Sequence, residues 1–128
     1  MSVLSDVAER AAADSPLWAG ALLPDAREGS AHFAGRCPER HLLGVEMIYE
    51  GYLLHYGRSR LFSQADPDLA LLTGDYLYAA GLREICATGD LAAVDALAAL
   101  ISGCARNQGD GRGHDDGALW DETVARLA

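Results

Sequence analysis

Apolar residues recur at helical spacing through most of this 128-residue chain. Val3, Leu4, Val7 and Ala11 mark a first helix over Val3 to Ala13. Ser15-Pro16 supplies a cap and a first-turn proline for a short second helix through Leu23, which Pro24 stops. DAREGSAHFAGRCPER is rich in Gly, Ser and charge and reads as a long flexible loop near 24–38. From Glu39 to Tyr56 the helical pattern returns, with Leu42, Val45, Tyr49, Tyr52, Leu53 and Tyr56 on one broad face. Gly44 and Gly51 fall seven apart on another face, where a neighbouring helix can come close. Asp66-Pro67-Asp68 opens the next helix with an N-cap, a first-turn proline and an acid that suits the dipole. This helix runs to about Thr88 and again has glycines seven apart, Gly74 and Gly81. Gly89-Asp90 is a tight corner into a helix over Leu91 to Ala105. A flexible Gly-rich loop near 107–117 precedes a last helix from about Ala118 to Leu127.

The pattern predicts one all-α domain over residues 1–128, a bundle of about five to six helices around the two glycine-notched ones. Composition agrees: half of the residues are hydrophobic but only 7% are aromatic. The net charge is −9, and all ten basic residues are Arg. Such a surface lacks the clustered cations that nucleic acid or an anionic membrane requires. The absence of Lys also excludes a lysine Schiff base or a lysine phosphate clamp. Cys37, Cys86 and Cys104 are odd in number and without CxxC spacing, which points to small core residues in a reduced compartment. The N-terminal stretch carries Asp and Glu and does not read as a signal peptide. The longest apolar run, Leu69 to Leu82, is interrupted by Asp75 and is shorter than the ~20 residues of a membrane span. A cytoplasmic protein with no membrane span is expected.

The order of a helix ending in Leu53-Leu54-His55, a basic loop, and then Leu72-Thr73-Gly74-Asp75-Tyr76-Leu77 followed by Gly89-Asp90 resembles the trans-prenyl diphosphate synthases. Residues 117–127 are similar to a later segment of that family, so the resemblance covers about residues 41–127. It implies part of the isoprenoid synthase fold. It also implies a place beside enzymes that join isopentenyl diphosphate to an allylic diphosphate. The departures are as informative. The family holds Mg²⁺ with an aspartate-rich motif after the His, because Mg²⁺ prefers hard oxygen ligands. Here Tyr56-Gly57 follows His55, no lysine-containing diphosphate clamp exists, and no second aspartate-rich helix occurs. No catalytic residue, metal ligand or cofactor is therefore assigned.

The ligand or interface candidates are Glu46, Glu50, His55, Arg58, Arg60 and Asp75. Glu46 and Glu50 form an i,i+4 pair without a Glu-x-x-His companion, which favours charges on a partly wet stripe over half of a carboxylate metal site. Arg58 and Arg60 flank Ser59 and read as a solvated connector rather than a phosphate contact. His41 and His55 suit core or helix-end roles. His114-Asp115-Asp116 suits an acidic helix N-cap better than a metal site. Asp75, alone in LLTGDYLYAAGL, is expected to be buried and paired with Arg58, Arg60, Arg83 or a tyrosine hydroxyl, since a buried unpaired carboxylate is costly. The resemblance implies a small non-catalytic interaction or regulatory subunit, homodimeric or bound to a larger prenyl synthase subunit. The alternatives are a bundle holding an isoprenoid or other apolar ligand between the glycine-notched helices, or a structural homodimer.

Overall fold

A computed structural model describes residues 2–25 and 29–128. The middle of the loop expected near 24–38, residues 26–28, lies outside the described residues. Helix α1 (Val3–Asp14) is capped by Ser2, whose Oγ accepts from Ser5 N at 3.1 Å. Its buried stripe is Leu4, Val7, Ala8 and Ala11, the i, i+3, i+4, i+7 pattern of an amphipathic helix. Ser15 ends α1 and starts α2 (Pro16–Ala21): its N–H donates to Ala11 O at 3.2 Å and its Oγ accepts from Leu17 N at 3.1 Å. After α2 the chain is clipped to the connector 57–66, where Leu23 N donates to Leu61 O and Ser63 N to Ala21 O, both at 2.8 Å. This isolated bridge is the only strand-like pairing among the described residues.

The centre is an antiparallel hairpin of α3 (Glu39–Tyr56) and α4 (Pro67–Cys86). Asp66 caps α4 by accepting from Asp68 N at 3.1 Å and Leu69 N at 3.2 Å. The four notch glycines meet in pairs. A Cβ on Gly44 would lie 2.9 Å from Gly81 O, and one on Gly51 would lie 2.8 Å from Gly74 O. The partners run in opposite chain directions at the same seven-residue interval, so each glycine removes side-chain bulk where the other helix passes. The two backbones themselves approach closely along the seam.

Gly89, with φ +79, turns the chain from α4 into α5 (Leu91–Gly109). Asp90 caps α5 by accepting from Ala93 N at 3.0 Å. α5 runs one turn beyond the expected end, which leaves a short connection where the Gly-rich loop was expected. Gly111 has φ +71, a single 3-10 turn covers Gly113–Asp115, and α6 spans Asp116–Ala125. The longer α5 has a reason: Asn107 and Gln108 both donate to Asp116, which ties its last turn to the start of α6.

α3 divides the interior. On one side Met47 and Leu54 pack with Leu4, Val7, Trp18, Leu61, Phe62 and Leu77. On the other, Val45 and Ile48 pack with Phe33, Ile85, Leu97, Leu100, Cys104 and Trp120. Of the cysteines, Cys104 is buried and Cys37 half-buried, whereas Cys86 is exposed on α4, contrary to the expectation of three core residues.

Candidate functional site

Glu46 and Glu50 stand one turn apart on the face of α3 that meets the connector 57–66 and the segment 29–38. The wet stripe expected for them is instead fully buried. Glu46 accepts from His32 N at 3.0 Å, Phe33 N at 2.8 Å and Arg60 Nη1 at 2.7 Å. Glu50 accepts from Arg60 Nε at 2.9 Å, Arg60 N at 3.1 Å and Leu61 N at 3.3 Å, and it also accepts the Ser59 hydroxyl. Ser59 Oγ in turn accepts from Leu61 N and Phe62 N at 3.2 and 2.9 Å. One guanidinium thus spans two carboxylates and rests over the Tyr49 ring at 5.1 Å. The cluster staples two irregular segments to the central helix. It leaves neither carboxylate an open face for a ligand. Arg60 is therefore an internal ion-pair partner, not a solvated connector residue, while Arg58 is exposed as expected.

Asp75 departs furthest from expectation. It is 66% exposed, on the outward side of α4. The physical reason is that Gly74, Leu77 and Gly81 face α3, which leaves Asp75 at the rim of that seam, beside His55 of α3 and open to water. Its neighbour is His55, whose Nε2 lies 3.0 Å from Asp75 Oδ1 at ion-pair distance but is not aligned for a hydrogen bond. None of the partners expected for it is used.

Two further polar centres were not foreseen. Asp116 is buried rather than capping α6, and it accepts from Tyr52 Oη at 2.8 Å, Asn107 Nδ2 at 3.0 Å and Gln108 Nε2 at 2.8 Å. Burial pushes its carboxyl up, but the hydrogen bonds from Asn107, Gln108, Tyr52 and Cys104 outweigh that and hold it below its ordinary value. Burial and then the Asp116 charge push the Cys104 thiol up to about 12, so it is no reactive thiolate. Burial followed by donation to Asp116 likewise raises the Tyr52 hydroxyl. At the other end of α5, the fully buried His41 places Nε2 3.0 Å from Asp90 Oδ2. The Asp90 carboxyl is held below its ordinary value by the Ala93 amide and then by His41.

The structure therefore brings Glu46, Glu50 and Arg60 together, pairs His55 with Asp75 elsewhere, and leaves Arg58 apart. Ser59 and the amides of His32 and Phe33 complete the cluster. Ser59 stood between two arginines in the sequence, but backbone donors carry no residue signature. Among the described residues no group of three or more His, Cys, Asp or Glu is placed to hold a metal ion, and no helix is long and apolar enough to cross a membrane. Grooves of about 490 and 600 Å³ flank Leu119, with small, polar and charged side chains mixed along both. Compared with protein-family models, with curated proteins and with solved structures, the chain matches none.

Proposed function

We propose that this chain is a non-catalytic helical interaction subunit related to the prenyl diphosphate synthases, working by docking onto another helical protein. The observation that carries the reading is the outer surface of the central hairpin. Leu71 and Leu72, adjacent on α4, are 48% and 51% exposed. An adjacent pair of large apolar side chains left in water is a feature of interaction surfaces. Tyr56-Gly57 stands where metal-dependent prenyl transfer would need aspartates, and Glu46 and Glu50 spend their lone pairs on Arg60, Ser59 and backbone amides. The family link rests on the Leu-Leu-His and Gly-Asp-Tyr-Leu segments of the sequence.

The test has two arms. Isolated protein incubated with Mg²⁺, isopentenyl diphosphate and geranyl diphosphate is expected to release no pyrophosphate above background. Immobilised protein is expected to retain a prenyl synthase from its native host and to change that enzyme's rate or product length when the two are mixed. Robust turnover by the isolated chain overturns the reading. So does a purified host synthase that neither binds nor responds.

A further inference from the structure

The outward side of α4 is complementary to itself. Asp68, Leu72, Asp75, Ala79, Arg83 and Cys86 follow one another at helical intervals of three or four residues, and all six are exposed. Ala79, the smallest, stands at the centre of the stripe. Asp75 and Arg83 lie four residues to either side of it. Neither charge is well satisfied among the described residues. Asp75 has only the misaligned His55, and Arg83 forms no ion pair among the described residues. Such an acid–small–base order suits a twofold axis, where residue i meets j and j meets i. Antiparallel pairing about Ala79 sets Asp75 against Arg83 twice, whereas parallel pairing would set like charges together. The same register brings Leu72 to the Cys86 end of the other helix and the half-buried Tyr76 to the half-buried Leu82.

We propose that this stripe is a self-association surface, on which a second copy of this chain packs its α4 antiparallel to the first with the twofold axis at Ala79. The inference rests on reading the chain as an interaction subunit and names one partner for it. The small side chain at the axis lets the helices approach to about 8 Å, the short end of ordinary helix packing. Asp75 and the partner's Arg83 then determine both the register and the direction.

Sedimentation of the full chain over a concentration series tests this. Wild type is expected to dimerise, and Arg83→Asp to weaken dimerisation by about a hundredfold or more, because it sets like charges together at two places. The double exchange Asp75→Arg with Arg83→Asp is expected to return to within about tenfold of wild type. Thermal melts of each variant establish that the monomer is folded. In a Cys86→Ser background, Ala79→Cys is expected to oxidise to a covalent dimer, since facing positions on the axis fall within disulfide reach. Wild-type Cys86 is expected not to cross-link, because seven residues on each side of the axis separate the two thiols by about 20 Å. A strict monomer at the highest attainable concentration overturns self-association, and if that monomer still binds a synthase the broader reading stands. A dimer that ignores the charge reversal, or that the double exchange does not restore, also overturns the proposed surface.

Discussion

Changing Arg60 to Met removes the guanidinium between Glu46 and Glu50 while keeping an apolar stem beside Tyr49. Both carboxylates are fully buried, and Arg60 donates to each, at 2.7 and 2.9 Å. The change leaves two negative charges one helical turn apart with only amides and one hydroxyl as donors. Breaking a buried ion pair by removing one partner costs ~3–5 kcal/mol, against a total stability of ~5–15 kcal/mol for a domain of this kind. At this chain length each ~1 kcal/mol moves the midpoint by roughly 3–5 °C, so Arg60→Met is expected to lower Tm by roughly 10–20 °C. Circular dichroism melts read this directly, and urea titration checks that the slope is unchanged. Glu50→Gln in the Arg60→Met background is expected to recover part of the loss, since it deletes one of the two stranded charges. A single variant that melts within about 2 °C of wild type would show that the cluster does not staple the loops to α3 in the way described.

Gly51→Ala puts a methyl group 2.8 Å from Gly74 O and is expected to destabilise by at least ~1–3 kcal/mol. Gly20→Ala, with nothing within 4 Å, is expected to be neutral or to stabilise by up to ~1 kcal/mol, and the two are compared by urea denaturation. Asp75→Ala removes an exposed carboxylate and is expected to shift the melt of the monomer by less than ~0.5 kcal/mol; a loss of several would return Asp75 to the interior. The Asp116 carboxyl sits below its ordinary value of 3.8 when folded. Its contribution is therefore present above that value and fades as pH falls through the lower folded one. Stability measured between pH 6 and 2 is expected to fall less steeply at the acid end in Asp116→Asn than in wild type.

The helices were legible in the sequence because their signals are local. Ser15-Pro16, Asp66-Pro67 and Gly89-Asp90 each act on backbone groups within four residues, and all three function as caps or corners in the fold. The glycine pairs were legible too, since a seven-residue interval survives any rotation of the helix and marks one face. What the sequence could not show was which way each polar residue turned. Asp75 and Glu46 both interrupt apolar helices, yet one faces water and the other a closed interior. The difference lies in their neighbours. The glycine seam leaves Asp75 at its open rim with only His55 beside it, whereas two irregular segments fold over Glu46 and bring it amides and a guanidinium. Those partners come from residues 13 or 14 positions away, two of them through the backbone, and no periodicity announces them. The helical content and its caps were thus determined by the sequence through short-range hydrogen bonds and side-chain spacing. The burial of the charges was decided only in the tertiary structure, where desolvation cost and new hydrogen bonds are balanced between segments distant along the chain.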